Sequence, residues 1–247
     1  MFDIAKRTGI GAMVLMVIPL LAWVSGWQWH PDNEKWWWRV LFWITQTVTS
    51  PWGFITALVL ICWFLWCLRF RWRPALALAC ILGAALLAGQ GIKTVIKDRV
   101  QEPRPYVMWL EQTHDMDGRI FYSLPGKARA MLVKKELQNE REIPRWLRKH
   151  WQHETGFAFP SGHTIFAASW AMLAWGLLWP RRHYASVAAI MIWSVAVLGS
   201  RMVLGMHWPR DVAMGVLLSW LVVTLACILV QRALGPLAPE AGEAGDS

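Results

Sequence analysis

Long apolar segments alternate with short polar ones along most of the chain. A helix needs roughly 20 predominantly apolar residues to cross the hydrocarbon core of a bilayer. Six uncharged segments reach or approach that length, at about Ile10–Trp27, Trp52–Leu68, Pro74–Ile92, Thr164–Trp179, Tyr184–Gly199 and Val212–Val230. The pattern predicts an all-α, polytopic membrane protein with six transmembrane helices. We expect the first helix to be a retained anchor rather than a cleaved signal peptide, because it is long and five more follow.

The composition agrees with this class of protein. Of the 247 residues, 56% are hydrophobic and 20 are tryptophan, more than an ordinary soluble domain of this size carries. The formal net charge of +9 could suggest a nucleic-acid partner, but the basic residues form no single stripe and no nucleic-acid-binding motif is present. The four cysteines lie inside apolar segments without metal-ligand spacing, so we expect neither a disulfide nor a zinc site.

Basic residues in the short loops indicate the orientation of the bundle. One side carries Lys6, Arg7, Arg69, Arg71, Arg73, Arg181, Arg182 and Arg232, whereas the short loops on the other side carry Lys35, Arg39, Arg201 and Arg210. By the positive-inside rule, both termini are then cytoplasmic.

Four regions follow from these spans. Residues 1–96 are expected to hold transmembrane helices one to three, with an interfacial amphipathic helix near residues 34–48. Residues 97–162 contain 12 of the 25 Lys and Arg residues and 9 of the 16 Asp and Glu residues. This region is therefore expected to form a small, mainly helical extracytoplasmic cap, with a helix over Lys127–Lys149. Residues 163–234 are expected to hold helices four to six, and residues 235–247 a disordered cytoplasmic tail.

Three polar clusters stand at the outer ends of spans. The first is KDRVQEPRP, from Lys97 to Pro105, in which two prolines deny Arg104 a helical backbone. Taken alone, a snorkelling lysine and a surface arginine explain this cluster better than a binding site does.

The second cluster is PSGH, Pro160 to His163, at the start of the fourth span. Ser161 can cap the helix. A helix N-terminus suits an anion such as phosphate, and Gly162 lets a ligand approach the backbone closely. A capped helix with an incidental histidine is the alternative interpretation.

The third cluster is SRMVLGMHWPRD, Ser200 to Asp211, between the last two spans. Pro209 suits the first turn of a helix, so His207 and Asp211, four residues apart, are expected on one face. A carboxylate that accepts from one imidazole nitrogen raises the basicity of the other. The alternative is an interfacial Arg/Asp pair beside a stray histidine. The five other histidines are interpreted as interfacial or surface residues: His30, His114, His150, His153 and His183.

All three clusters lie on the same side, so three spans can converge on one pocket. That pocket would combine cations, a helix N-terminus, a histidine oriented by a carboxylate and a second histidine. This inventory suits phosphate capture, nucleophilic attack and acid catalysis, which together predict phosphoryl transfer at the membrane surface.

The same residues resemble the three signature motifs of the type 2 phosphatidic acid phosphatase superfamily. The matching elements are Lys97 with Arg104-Pro105, the tetrapeptide at 160–163, and Ser200-Arg201 followed by His207 and Asp211. The resemblance covers most of the chain and no key position departs from the motifs.

The resemblance implies a metal-independent lipid phosphatase without a cofactor. It implies that His207 is a nucleophile forming a phosphohistidine, that Asp211 orients it and that His163 protonates the leaving oxygen. The phosphate would be held by Lys97, Arg104, Ser161, Gly162 and Arg201. The implied partners are phospholipid and polyprenyl phosphate substrates, with no obligate protein partner. The implied location is the inner (cytoplasmic) membrane of a bacterium, with the site on the periplasmic side. The implied substrates are phosphatidylglycerol phosphate, undecaprenyl diphosphate, phosphatidic acid, lysophosphatidic acid and diacylglycerol pyrophosphate.

Other functions remain open at this stage. A phosphotransferase could pass phosphate from undecaprenyl diphosphate to a lipid acceptor instead of water, and the motifs do not distinguish the two acceptors. A vanadium-dependent haloperoxidase shares the superfamily's pocket, but six spans without a soluble scaffold disfavour it. A non-enzymatic lipid transporter or scaffold with a vestigial pocket is disfavoured by the intact motifs.

Overall fold

The computed structural model describes residues 2–31, 35–114 and 116–235. Glu34 at the start of the predicted interfacial segment, and all of the predicted disordered tail beyond Gly235, lie outside these residues. The described chain forms helices and no strand, so the all-α prediction is confirmed. The α-helices are α1 (Phe2–Val24), α2 (Trp36–Gln46), α3 (Trp52–Leu68), α4 (Trp72–Val100), α5 (Pro105–Thr113), α6 (Gly118–Ser123), α7 (Gly126–Glu136), α8 (Arg145–His153), α9 (Gly162–Leu173), α10 (Tyr184–Val203) and α11 (Pro209–Leu234).

Four helices in the described residues are long and apolar enough to cross a membrane, namely α1, α4, α10 and α11. Two shorter helices occupy the other predicted spans. Helix α3 has 17 residues, and α9 has 12 before a π-helical turn continues it over Ala174–Leu178. The chain is thus a membrane protein, while the number of six transmembrane helices stays a prediction.

Helix α9 lies at the centre of the bundle. It packs against α10, α11 and α4, and α1 packs against α11. Every residue from Ala167 to Leu173 is buried, whereas α3 leaves several large apolar side chains exposed, among them Trp52, Phe54 and Trp66. An uncharged helix that exposes apolar groups needs an apolar surrounding, so the exposure fits contact with lipid.

The segment between α4 and α9 supplies most of a second hydrophobic cluster. Its buried members include Tyr106, Phe121, Val133, Leu147 and Trp151. The predicted continuous helix over Lys127–Lys149 is wrong, because α7 ends at Glu136 and α8 begins at Arg145. Pro144 precedes α8 and has no N–H to continue a helix through this point.

The loop between α10 and α11 contains a turn that only glycine accommodates easily. Gly205 has φ +71°, and a Cβ there would lie 2.5 Å from the ring of Trp29. The Trp29 indole N–H also donates to the Val203 carbonyl at 2.9 Å. The segment after α1 is therefore held against the third motif.

We expect Gly205→Ala to destabilise the protein, because it adds left-handed strain and a clash with Trp29. The cost should be about 2 kcal/mol, seen as a fall in the detergent thermal midpoint of about 4 °C or more. Gly199→Ala, where a Cβ has open space, is the matched control and should unfold at or above the wild-type midpoint. Equal midpoints for the two variants would contradict this account of the turn.

Candidate active site

The three motifs meet at one cavity of about 670 Å³. Its lining residues near the motifs are Lys97, Arg104, Glu154, Gly162, His163 and His207. Arg201 and Asp211 lie one contact further out, because Arg201 bonds to Glu154 and Asp211 faces His207. The structure thus brings the predicted site residues together at one end of the bundle.

The third motif occupies the turn before α11. Pro209 is the first residue of that helix, and its fixed φ suits this position. Asp211, in the first turn, accepts from the Trp208 backbone N–H at 2.8 Å, and the same oxygen, Oδ2, lies 3.4 Å from His207 Nδ1. Both side chains are almost completely buried. With Nδ1 facing the carboxylate, Nε2 is the nitrogen left for chemistry.

The second motif forms the N-terminus of α9. The Ser161 hydroxyl caps the helix by accepting from the Thr164 backbone N–H at 3.3 Å, and it also accepts from the Thr164 hydroxyl at 2.9 Å. The Ser161 backbone N–H donates to the Asp211 carbonyl at 3.1 Å, which ties the second motif to the third. The hydroxyl therefore serves the helix in this structure, although the cap still leaves amide groups at the helix end.

Gly162 and His163 face other elements of the bundle. A Cβ on residue 162 would lie 2.7 Å from the Lys93 side chain, so the glycine makes room for that lysine. His163 Nε2 is 3.0 Å from the Thr49 hydroxyl and 3.7 Å from Glu154 Oε1.

The first motif supplies two cations from different backbone settings. Lys97 stands on α4, which continues beyond the predicted end at Ile92, and its ammonium donates to the Phe157 carbonyl. Arg104 has extended backbone dihedrals between its flanking prolines, as the sequence predicted. Its Nε donates to the Gly156 carbonyl at 2.7 Å and its Nη1 to Glu154 Oε2 at 3.1 Å.

Glu154 is the residue that the sequence analysis missed. Its Oε2 accepts from Arg201 Nη2 as well as from Arg104, and its Oε1 faces His163 and His150 at 3.7 and 3.8 Å. The carboxylate therefore occupies the centre of the cationic cluster. Glu154 lies in a charge-rich segment, and no motif in that segment indicated that its side chain turns inward.

His150 is also placed differently from the expectation. It was interpreted as an interfacial or surface residue, but its side chain is buried and its Nε2 is 3.4 Å from Arg201 Nη1. That interpretation is wrong because the apolar positions of α8, Leu147 and Trp151, turn this face of the helix into the second hydrophobic cluster. Thr45, on α2, gives Arg201 another acceptor at 3.0 Å.

The electrostatic setting differs between the histidines and the glutamate. Burial lowers the pKa of His150 to about 4, so it is neutral and can accept from Arg201. Burial, followed by the cations of Arg104, Arg201 and Lys97, holds the pKa of His207 well below its usual range. Burial raises the pKa of Glu154, but Arg201 and the other neighbouring basic groups outweigh it and hold that pKa well below its usual range. Glu154 is thus a mostly buried carboxylate that stays ionised.

The arrangement forms an anion site with a neutral histidine beside it. Two buried guanidinium groups donate to one carboxylate oxygen of Glu154, and Lys97 and the neutral His207 line the same cavity. A site of this class can hold a phosphoryl group during nucleophilic attack, because its positively charged side chains are already in position.

The chain belongs to the PAP2 superfamily. The family model matches residues 78–234, which include all three motifs. The chain is 56% identical to phosphatidylglycerophosphatase B of Escherichia coli K12, over 98% of this chain and 96% of that protein. It is 35% identical to phosphatidylglycerophosphatase B of Haemophilus influenzae, over 92% and 96%. A shorter match, 34% identical over 34% of this chain and 39% of the relative, is to the putative undecaprenyl-diphosphatase YbjG of Escherichia coli K12.

One ion pair links the first motif to the third from outside the cavity. The Arg210 guanidinium donates to Glu102 Oε1 through both Nε, at 2.6 Å, and Nη2. The Trp208 indole N–H donates to the Pro103 carbonyl at 2.9 Å beside it. Glu102 and Arg210 are neighbours of Arg104 and Asp211 in sequence, so this pair holds the first and third motifs against each other.

We expect Glu102→Gln and Arg210→Gln each to lower the thermal midpoint in detergent by about 2–4 °C, the shift expected from a loss of about 1 kcal/mol. The double variant should be no less stable than either single variant, because both substitutions break the same pair. Arg141→Gln makes the same substitution as Arg210→Gln at another exposed position. It is the control and should leave the midpoint unchanged. Additive losses in the double variant would show that the two residues act independently.

Proposed function

We propose that the protein is an integral-membrane lipid phosphatase that hydrolyses phosphatidylglycerol phosphate to phosphatidylglycerol and phosphate. The observation that carries this proposal is the His207–Asp211 pair facing the same cavity as Lys97, Arg104 and the cation-bound carboxylate of Glu154. Membership of the PAP2 superfamily and similarity over more than 90% of the chain to two proteins named phosphatidylglycerophosphatase B support the substrate class.

His207 is the proposed nucleophile. Asp211 accepts from Nδ1–H, which directs the lone pair of Nε2 into the cavity and favours the positive charge that develops on the ring. Nε2 attacks phosphorus, a nitrogen–phosphorus bond forms, and the ester oxygen leaves with the pair of electrons of its bond to phosphorus. The depressed pKa of His207 keeps the ring neutral before attack, as a nucleophile requires.

His163 is the proposed acid. It stands at the start of α9 beside Glu154, whose charge favours a protonated imidazole. The proton passes to the leaving oxygen, and a water molecule that gives its proton back to His163 then attacks the phosphohistidine to release phosphate. Lys97, Arg104 and Arg201, with the amide groups beyond Ser161 and Gly162, are proposed to stabilise the phosphoryl oxygens through both steps.

The phosphate of the substrate is proposed to replace the Glu154 carboxylate between the two guanidinium groups. Both anions offer oxygen acceptors to the same donors, and a phosphate offers one more. Once displaced, Glu154 remains close to His163 and keeps its proton in place. In this proposal Glu154 contacts the two guanidinium groups only when no substrate is bound.

The cavity also suggests where the lipid tail lies. Beyond the polar end it continues between α3, α4 and α9, where its walls are mostly apolar: Ala57, Ile61, Gly83, Leu86, Leu87 and Phe166. A head group bound near His207 could therefore keep its acyl chains in this passage and in the bilayer next to it.

The wider substrate range and the orientation belong to the same proposal. Undecaprenyl diphosphate, phosphatidic acid, lysophosphatidic acid and diacylglycerol pyrophosphate present the same terminal phosphate, and the short match to a putative undecaprenyl-diphosphatase supports the first of them. The loop charges support cytoplasmic termini, which would place the site on the periplasmic face of a bacterial inner membrane.

We expect wild-type protein in detergent with excess EDTA to release phosphate from phosphatidylglycerol phosphate and from undecaprenyl diphosphate, because fixed cations provide the positive charge. His207→Ala should lose this activity by about 10³-fold or more, and Asp211→Asn by about 10²-fold or more. Because the nitrogen–phosphorus bond of phosphohistidine is labile in acid and stable in base, alkaline quenching with ³²P-labelled substrate should trap label on wild-type protein and not on His207→Ala.

Several outcomes would contradict the proposal. A folded wild type that releases no phosphate, or that needs added divalent metal, would contradict the metal-independent mechanism. Phosphorylated lipid acceptors in place of inorganic phosphate would establish the phosphotransferase instead. Normal turnover by folded His207→Ala would contradict the assigned nucleophile.

The tail passage makes a separate prediction. Gly83→Leu fills the apolar wall at a position with open space, so kcat/KM for a long-chain substrate should fall by about tenfold or more. Hydrolysis of p-nitrophenyl phosphate, which has no tail, should be unchanged. Gly91→Leu, on the same helix with open space but outside the cavity, is the control. Equal losses on both substrates would show that Gly83→Leu disturbs the site rather than the passage.

A further inference from the structure

The end of α2 and the turn that follows it bring two threonine hydroxyls to the candidate active site. The Thr45 hydroxyl accepts from Arg201 Nη1 at 3.0 Å, and the Thr49 hydroxyl lies 3.0 Å from His163 Nε2. Thr49 also lines the active-site cavity. Both threonines precede the part of the chain that the family model matches, residues 78–234. The three motifs therefore do not account for these contacts.

The turn that carries Thr49 is fixed by two other helices. The Thr49 carbonyl accepts from the backbone N–H of Gly53, on α3, at 2.9 Å. Two residues earlier, the Thr47 carbonyl accepts from the hydroxyl of Thr56, also on α3, at 2.7 Å. The Thr47 hydroxyl accepts from the indole N–H of Trp193, on α10, at 3.0 Å. The position of the Thr49 hydroxyl is therefore set by contacts with α3 and α10.

The hydrogen bonds of Thr49 indicate where the proton between it and His163 lies. A threonine hydroxyl has one hydrogen to donate, and that of Thr49 is donated to the Thr45 carbonyl at 3.2 Å. Its oxygen then accepts from His163, which requires the proton to be on Nε2. A second acceptor favours the same arrangement, because Glu154 Oε1, part of an ionised carboxylate, lies 3.7 Å from this nitrogen.

We propose that Thr49 is a positioning residue that keeps a proton on His163 Nε2 and leaves Nδ1 to exchange a proton during the reaction. The inference rests on the proposed function, in which His163 is the acid. Nδ1–H of the imidazolium gives its proton to the leaving oxygen, and the ring becomes neutral with Nε2–H still bound to Thr49. Water then attacks the phosphohistidine and gives a proton to Nδ1, while the nitrogen–phosphorus bond breaks with its electron pair on His207.

In this proposal Thr49 serves His163 as Asp211 serves His207. Each residue holds one imidazole nitrogen and leaves the other for chemistry. The carboxylate of Asp211 suits a nucleophile, because its charge favours the positive ring that attack on phosphorus produces. The hydroxyl of Thr49 suits an acid, because it orients the ring without adding a negative charge that would hold the transferred proton.

Nitrogen-15 NMR of histidine-labelled protein in detergent tests the position of the proton without using activity. Long-range ¹H–¹⁵N correlation identifies the protonated nitrogen of a neutral imidazole, and the signals of His163 are those missing from His163→Gln. We expect the proton of neutral His163 to be on Nε2 in wild type. Its exchange with water should be about fivefold faster in Thr49→Val, which keeps the side-chain shape and removes the acceptor. A wild type with the proton on Nδ1 would overturn the proposal, whether or not a Thr49 variant folds.

Turnover of phosphatidylglycerol phosphate tests the link to the reaction. We expect kcat of Thr49→Val to fall about tenfold with little change in KM, from loss of one hydrogen bond to the imidazolium. Thr49→Ser, which keeps the hydroxyl, should recover most of the lost rate. The matched control is Thr94→Val, which should turn over like wild type. Thr94 also donates to the carbonyl four residues before it, but it is exposed and lies outside the cavity.

A His163→Ala background separates positioning of His163 from a structural effect. Because Thr49 is proposed to act through His163, adding Thr49→Val to His163→Ala should cause no further loss of its residual turnover. A further tenfold loss would overturn the proposal, as would wild-type kcat in folded Thr49→Val. A wild type that releases no phosphate would contradict the proposed function instead, and NMR would still show which nitrogen of His163 carries the proton.

Discussion

Two guanidinium groups buried at the end of a hydrophobic bundle need a negative charge between them, and Glu154 supplies it. Arg104 and Arg201 come from segments almost a hundred residues apart, and both donate to the same carboxylate oxygen. An isolated buried ion costs several kcal/mol, whereas a paired and hydrogen-bonded one is tolerated. The carboxylate thus fastens the segment before α9 to α10 and keeps the cations close together. The positions of Lys97, His163 and His150 around it follow from this one cluster.

The same interaction explains how the site can be preorganised for an anion while its positive charges stay paired within the protein. Cations held by protein partners need no reorganisation when a phosphoryl group arrives, which is the condition for strong electrostatic stabilisation. In the proposed reaction, Glu154 gives up two guanidinium contacts, and the phosphate takes them over. Each guanidinium group therefore stays paired with an anionic oxygen before and after the exchange. A neutral ligand could not displace the carboxylate, and this favours phosphate esters over the other polar groups that membrane lipids carry.

The sequence predicted the helical class and the convergence of its motifs because these features are local. Apolar runs are visible without a partner, and Ser161, Pro209 and the prolines around Arg104 act through their own backbone neighbours. Glu154 and His150 could not be found in this way. Their inward direction depends on how α8 packs in the second hydrophobic cluster, and on Arg201, which follows some fifty residues later in the chain. The break between α7 and α8 could have been predicted, because Pro144 indicates a helix boundary. The prediction followed the helical pattern of the surrounding residues instead.

Helix α4 shows how one element can serve both halves of a lipid in the proposed reaction. Five of its cavity-lining positions, Gly83, Leu86, Gln90, Lys93 and Lys97, follow one another at intervals of three or four residues and so share one face. That face is apolar at one end and cationic at the other. A substrate lying along it places its chains beside Gly83 and Leu86 and its phosphate near Lys97. Because a rigid helix fixes the distance between these ends, a soluble phosphate ester can use only the cationic half, and the contacts along the rest of the helix are available only to a lipid.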